Sequence, residues 1–311
     1  MRALVFTAPG EVELRDLDEP VAGDGEVVLE VGGAGICGSE LHGFRSLGMR
    51  KPPLVMGHEV AGTLPDGRRV VVNPLLSCGR CDLCGRGLPQ VCRERGLLGV
   101  HRPGGFAERV AVPESACHEL PESVGWDAAA MIEPLANAVH AVGLAGDVRG
   151  SRVGVVGAGA LGLLTLVVAR LAGAARVAVV DPSPGRLAIA ERLGADEVGA
   201  ELLAEQDVVV DAVGVQATRA ASLARLRPGG TAVWIGLAQA AVELDGNEVV
   251  RGERRVAGSF AYTPAEFVRA VELSAGCDLG WATAVPLADS QRIFMELAEG
   301  RSQIVRAVIR P

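Results

Sequence analysis

No stretch of this 311-residue sequence is apolar over the ~20 residues that a bilayer span needs; the longest such runs, like Ala160 to Ala169, stop well short. The N-terminus has no basic region followed by an apolar one, so no secretory signal is read and a cytoplasmic location is expected. Blocks of like charge are missing too, which excludes a polyelectrolyte tail. Positive charge is in deficit: 30 Lys plus Arg stand against 38 Asp plus Glu, for a formal net charge of −8. That balance opposes nucleic acid and anionic membranes as partners and leaves a small molecule as the expected one. Repeats of about 20–50 residues and low-complexity segments are likewise absent. What is present, 49% hydrophobic positions and 41 glycines, suits a globular chain. At roughly 150 residues per domain, two domains are expected.

Seven cysteines are an odd number, which argues against a secreted disulfide framework. Four of them, Cys78, Cys81, Cys84 and Cys92, fall within fifteen positions as C-x2-C-x2-C-x7-C, with Gly79, Gly85 and Gly87 allowing sharp turns between them. Four thiolates at ~2.3 Å around one ion make a closed, structural zinc site; an iron–sulfur cluster is the alternative. Four protein ligands leave no position for a substrate, so this lobe, residues 77–93, is expected to hold a loop and to do no chemistry.

Short β-type runs, Arg2 to Phe6, Glu26 to Val31, Arg69 to Val72 and Ala107 to Val112, are broken by Pro9-Gly10, Gly23-Asp24-Gly25, Pro52-Pro53 and Pro103-Gly104-Gly105. This predicts a mostly β unit with long loops over the first 120 residues. From about Asp127, Ala-rich helical stretches alternate with compact apolar runs at Arg152 to Val156, Arg176 to Val180, Asp207 to Val213, Thr231 to Ile235 and Arg255 to Ser259. That rhythm predicts a doubly wound parallel sheet covered on both faces. Helices near Thr263-Pro264 and over Asp289 to Glu299, then a strand from Gln303 to Ile309, are expected to close the chain.

The strand ending at Val156 runs into Gly157-Ala158-Gly159-Ala160-Leu161-Gly162, a G-x-G-x-x-G turn opening an apolar helix to Leu171. Gly157 permits the turn, Gly159 lets backbone approach a pyrophosphate, and Gly162 lets helix and strand pack closely. Nineteen residues after Gly162, Asp181 ends the next strand, where a carboxylate can accept hydrogen bonds from the ribose hydroxyls. A 2′-phosphate there would meet like charge, which favours NAD; nearby Arg186 keeps NADP open.

Outside the lobe, Cys37 lies in Gly35-Ile36-Cys37-Gly38-Ser39-Glu40-Leu41-His42, and His58 and Glu59 follow Gly57. A thiolate, an imidazole and a carboxylate can leave zinc a vacant fourth position, where it acts as a Lewis acid on an alcohol oxygen. Ser39 and His42 offer a hydroxyl and an imidazole to carry the released proton outward.

With Gly35-Ile36-Cys37-Gly38-Ser39, Gly57-His58-Glu59, the four-cysteine lobe, Glu133-Pro134 and the glycine turn in this order, the whole chain resembles the zinc-dependent medium-chain dehydrogenases/reductases. Within them it is most similar to the polyol and sorbitol dehydrogenase group and its threonine dehydrogenase relatives, because Glu133-Pro134-Leu135 stands where alcohol dehydrogenases use a cysteine ligand. The resemblance implies an α/β chain in which a GroES-like, mostly β catalytic domain (1–134 with 262–311) flanks a Rossmann domain (135–261). It implies that Cys37, His58 and Glu59 hold the catalytic zinc, with Glu133 a ligand in exchange with Glu59 or a partner of the zinc-bound water. Asn137, Val213, Gly214, Leu237 and Phe260 would lie near the nicotinamide, and Phe44, His101, Phe106 and Tyr262 would line the substrate pocket. A homodimer or homotetramer joined through the edge strand near Arg255 to Ser259 is also implied.

Three departures from these relatives stand out. Only Val60 to Asp66 separate Glu59 from the Gly67 strand start, and Gly199 to Gln206 leaves room for roughly two helical turns, so the crossover helix there is expected to be stunted. Ala261 occupies the place of an arginine that organises the polyol in sorbitol dehydrogenases, which speaks against sorbitol itself. The expected activity is NAD-linked oxidation of a secondary alcohol on a sugar, polyol, cyclitol or amino-sugar. The alternatives are a threonine-type amino-alcohol dehydrogenase and a catalytically silent nucleotide- and zinc-binding redox sensor.

Overall fold

The computed structural model describes residues 1–311, which divide into two compact units: Met1–Glu133 with Thr263–Pro311, and Pro134–Tyr262. No helix is long and apolar enough to cross a membrane.

The first unit is mostly β, in the GroES-like manner. Its organising strand is Glu26–Gly35, whose first half pairs antiparallel with Arg109–Pro113 and whose second half pairs with Glu59–Thr63. The exchange of partners coincides with a register irregularity between Val31 and Gly33, where Gly32 leaves room for the Trp126 ring. The strand Ala307–Arg310 adds to the far end, with Val308 opposite Gly35. It begins four residues later than the Gln303 start read from the sequence. Side chains from across the unit fill one core around Phe6, Leu29, Met56, Leu98, Phe106 and Phe294, none of which reaches solvent.

The second unit is a six-stranded parallel sheet in the order Glu197–Gly199, Arg176–Val180, Arg152–Val156, Gln206–Asp211, Leu226–Trp234 and Arg255–Gly258. Each central strand is almost wholly Val or Ala, as burial on both faces requires. The run expected to continue to Val213 stops at Asp211, because Gly214 turns the chain away at φ +82°. No helix forms over residues 200–205. The segment passes two strands, three spacings of ~4.8 Å, and six extended residues span about 20 Å, so a helix is not needed to make the crossing. Leu202 takes the helix's place in the core, and it fits because a Cβ at Gly154 would lie only 2.9 Å from its Cδ1.

Candidate active site and metal centre

Gly35 is the register partner of Glu59, so Cys37 and His58 emerge from neighbouring strand ends. The Cys37 sulfur, a His58 ring nitrogen and a Glu59 carboxylate oxygen all lie within 4.8 Å of one another. Gly35 has a further consequence, since a Cβ there would collide with the Glu59 carboxylate. Cys37 caps the short helix Gly38–Gly43, and Glu40, its third residue, folds back so that Oε2 accepts from the Cys37 N–H at 2.8 Å. The other oxygen, Oε1, accepts from the N–H of Gly57 at 3.0 Å and of His58 at 3.2 Å, and lies 2.8 Å from His58 Nδ1. One buried carboxylate thus holds the backbone of both the thiol and the imidazole segments and fixes the ring.

Arg306 reaches the same place from the C-terminal strand. It donates to the Ile36 carbonyl at 2.8 Å and forms a buried ion pair with Glu59. These neighbours set the protonation of the group in the absence of metal. Burial pushes the Cys37 thiol up, but the facing His58 and Arg306 charges prevail and bring it down to about 6. Burial opposes a charged His58 as well, yet Glu40 and Cys37 raise it well above the usual imidazole value. Glu40, despite its burial, is lowered by His58 and then by Arg50.

The donors fit a divalent cation. Both Glu59 oxygens are buried without a hydrogen-bond partner, and Oε1 lacks even the ion pair that Oε2 makes with Arg306. A cation bound by sulfur, imidazole nitrogen and carboxylate would satisfy it. In the lobe, the sulfurs of Cys81 and Cys84 are 3.6 Å apart, those of Cys81 and Cys92 3.8 Å, and those of Cys78 and Cys92 3.5 Å. A tetrahedron with bonds of ~2.3 Å has edges of about 3.8 Å, so the set closes on one ion and is too tight for a cluster with sulfide between the irons. Backbone N–H groups of Cys78 and Glu94 each point at the Cys92 sulfur at 3.3 Å, as befits a thiolate.

Ser39 and His42 are exposed, three residues apart on the Gly38–Gly43 helix. Glu133 is buried at the start of the helix Ile132–Leu144 and is not among the groups gathered with Cys37 and His58, whereas Glu59 is. Phe44 and Phe106 are core residues, which corrects their placement on a substrate wall. Their rings pack edge-on against Phe294, with centroids 5.2 and 6.5 Å away, an arrangement that aromatic quadrupoles favour. Tyr262 is also fully buried, while His101 is exposed.

In the second unit the three glycines divide their tasks visibly. Gly157 adopts φ +95°, a Cβ at Gly162 would collide with the Gly157 carbonyl, and a Cβ at Gly159 would meet nothing within 4 Å. The open space at Gly159 lies at the uncapped N-terminus of the helix Ala160–Leu171, where Ala160 and Leu161 leave N–H groups free for a pyrophosphate. Asp181 is buried, with Oδ2 accepting from Ala158 N–H and Oδ1 from Ser183 N–H, both at 2.8 Å. Arg186 lies 3.7 Å from the same carboxylate. Asp211 accepts from the N–H groups of Val213 and Gly214 at 2.9 and 3.0 Å, shaping that loop. Asn137 is half-buried; Leu237 and Phe260 are exposed.

Comparison with known proteins agrees with this geometry. The models for the alcohol dehydrogenase GroES-like domain and for zinc-binding dehydrogenase match residues 23–122 and 160–276. An L-galactonate-5-dehydrogenase of Escherichia coli (strain K12) is 32% identical over 327 aligned positions, covering 96% of this chain and 94% of that one. The chain belongs to the zinc-dependent medium-chain dehydrogenases, in their polyol group. It is a zinc-dependent alcohol dehydrogenase of that kind. A zinc-binding dehydrogenase from Sinorhizobium meliloti 1021, solved with NADP, has a TM-score of 0.94 at 29% identity over 100% of this chain and 99% of that one. The short chain alcohol dehydrogenase of E. coli CFT073, solved with NADH, scores 0.92 at 25% identity, over 100% and 99%. Zinc and a nicotinamide cofactor therefore belong to this dehydrogenase.

Three functional neighbours escape a reading of the sequence alone. Glu40 carries a faint signal, since a side chain with an acceptor followed three residues later by Glu is a capping-box pattern. Asp211 is recognisable only as an acid at a strand end. Arg306 has no local signal, because its place beside Ile36 comes from sheet register across 270 residues of sequence.

Proposed function

We propose that this dehydrogenase oxidises a secondary alcohol of a polyol, sugar, cyclitol or amino-sugar to the ketone, with NAD as the acceptor. The convergence of Cys37, His58 and Glu59 around an unpartnered carboxylate oxygen carries the reading. Zinc held there supplies Lewis acidity that makes a bound hydroxyl easier to deprotonate. Glu40 and Arg306 orient the three ligands, Ser39 receives the hydroxyl proton, and His42 passes it to solvent. Glu133 serves as an alternative ligand or orients water. On the nucleotide side, Gly157 to Gly162 cradle the pyrophosphate and Asp181 accepts from the ribose hydroxyls, disfavouring a 2′-phosphate. Asn137, Val213, Gly214, Leu237 and Phe260 border the nicotinamide. The relatives support this substrate range, since they include an L-idonate 5-dehydrogenase of Vitis vinifera, 32% identical over 78% of this chain. A threonine-type amino-alcohol reaction is the second reading, favoured by an L-threonine 3-dehydrogenase of Pyrococcus horikoshii, 38% identical over 69% of the chain.

The enzyme works in the cytoplasm as a homodimer or homotetramer. Arg255–Gly258, the edge strand of the parallel sheet, supports the assembly because it leaves its outer backbone unpaired and Val256 41% exposed. The deciding experiment combines metal analysis with NAD reduction across polyols, sugar acids, amino-sugars and amino-alcohols. About two zinc ions per chain and turnover of one hydroxylated class are expected. One ion per chain that survives Cys37→Ala, with no turnover of any compound, would leave a silent sensor in its place.

A further inference from the structure

Arg50 is buried, 6% exposed, and forms no ion pair. Its Nε donates to the carbonyl of Gly99 and its Nη1 to the carbonyl of Ser39, each at 3.3 Å. A charged side chain kept out of water with two carbonyl acceptors regains only part of its lost hydration. The surroundings are cut to fit it. Gly43, the last residue of the Gly38–Gly43 helix, has no room for a Cβ because the Arg50 guanidinium lies there. At the other end, Gly99 adopts φ +67°, and a Cβ on it would stand 2.7 Å from the Gly57 nitrogen. Gly57 is pinned in turn by the Gly105 N–H, which donates to its carbonyl at 2.8 Å. Gly99 follows the strand Gly96–Leu97, which pairs with Leu75–Leu76 and closes the base of the four-cysteine lobe.

We infer that Arg50 is a positioning residue that ties the helix bearing Ser39 and His42 to the segment leaving the four-cysteine lobe, and so holds that helix in register with the Gly57-His58 turn. The inference rests on the catalytic reading of Cys37 and His58 proposed above. Arg50 touches no ligand atom; it reaches the centre through the backbone of Ser39 and Gly99 and through the charge it presents to Glu40. A lysine cannot replace it, because one ammonium on a flexible stem does not span two carbonyls in a fixed fork. Gly43→Ala should reproduce the loss of Arg50 by pushing the guanidinium aside with its charge intact. Once Arg50 is gone, the same change should be neutral, since alanine is the better helix former.

The test uses the full chain with cobalt(II) at the Cys37 centre, in the wild type, Arg50→Met, Arg50→Lys, Gly43→Ala and the Gly43→Ala/Arg50→Met double variant. Expected are a shifted visible cobalt spectrum in all four variants, kcat lowered about tenfold or more for the best alcohol of the panel, and KM for NAD within about twofold of wild type. The double variant should match Arg50→Met alone, since both changes act on one contact. An unshifted spectrum, or additive losses in the double variant, overturns the role of Arg50 and leaves the catalytic centre standing. Failure of the wild type to take up cobalt at Cys37 sinks the catalytic reading and this inference with it.

Discussion

His58 Nδ1 lies 2.8 Å from Glu40 Oε1; the carboxylate is wholly out of water and the ring is nearly so. The contact leaves Nε2 as the nitrogen free to face a metal, because the ring's other N–H is committed to the carboxylate. The same oxygen also accepts from the two backbone N–H groups of Gly57 and His58. Replacing Glu40 with Gln keeps the shape but removes the charge and turns one acceptor into a donor that faces an N–H. Metal affinity at the Cys37 centre should fall by about 10- to 100-fold, with the four-cysteine lobe unaffected. Competition with a chelator, read separately for the two sites, measures it; equal affinities in Glu40→Gln and wild type would contradict the assignment.

A second prediction follows from charge. Without metal, the Cys37 thiol is brought down to about 6 while His58 is raised well above the usual imidazole value, so near neutrality the pair is thiolate and imidazolium. A metal ligand must be neutral imidazole, and binding therefore expels the His58 proton. Affinity should rise with pH up to the raised value of His58, and about one proton should be released per ion bound near pH 7. The sign for folding is the reverse. A raised histidine stabilises the metal-free fold fully below its unfolded value, about 6.5, and that contribution is lost as pH climbs through the raised value. Calorimetry of zinc binding in buffers of different ionisation enthalpy counts the protons, and a count of zero at neutral pH would refute the ion pair.

The buried pair of Arg306 and Glu59 predicts an asymmetric response to mutation. Arg306→Met strands a buried carboxylate, at a cost of about 3–5 kcal/mol in the metal-free protein. Zinc supplies a replacement cation for Glu59, so the loss should shrink when metal is bound. Denaturation midpoints of wild type and variant, with and without zinc, test this. A loss of equal size in both states would mean that Glu59 does not meet the ion.

Local signals made much of this molecule legible, and long-range ones hid the rest. The four-cysteine lobe and the Gly157 turn were readable because each is a short spacing with one geometric solution. The strands Arg152–Val156 and Arg176–Val180 fall where their apolar runs place them. Cys37 and His58 are readable as candidate ligands from their chemistry, and the resemblance pairs them, but the register Gly35↔Glu59 that joins them is not written in either segment. Arg306 was invisible for the same reason. Phe44 and Phe106 misled because an aromatic side chain has the same composition on a pocket wall and in a core, and only the position of Phe294 decides between them. Over residues 200–205 a shortened helix was the natural reading, but a single leucine above Gly154 fills the space instead.

The nucleotide end offers the last prediction. Asp181 spends one lone pair of each oxygen on Ala158 and Ser183, and each oxygen keeps another for a ribose hydroxyl. The carboxylate thus has two effects, shaping the glycine turn for any dinucleotide and repelling a 2′-phosphate. They separate in Asp181→Ser. Affinity for NAD should fall, because both the turn and the ribose contact are weakened, while the preference for NAD over NADP should fall by about tenfold or more as the like charge disappears. Arg186, exposed and 3.7 Å from Asp181, is then free to pair with the phosphate. Adding Arg186→Ala to that variant should restore part of the discrimination without restoring NAD affinity. Quenching of protein fluorescence by NAD and by NADP, in wild type and in both variants, gives the six dissociation constants. If Asp181→Ser weakens NAD and NADP by the same factor, the carboxylate only shapes the turn, and the choice of cofactor is made elsewhere.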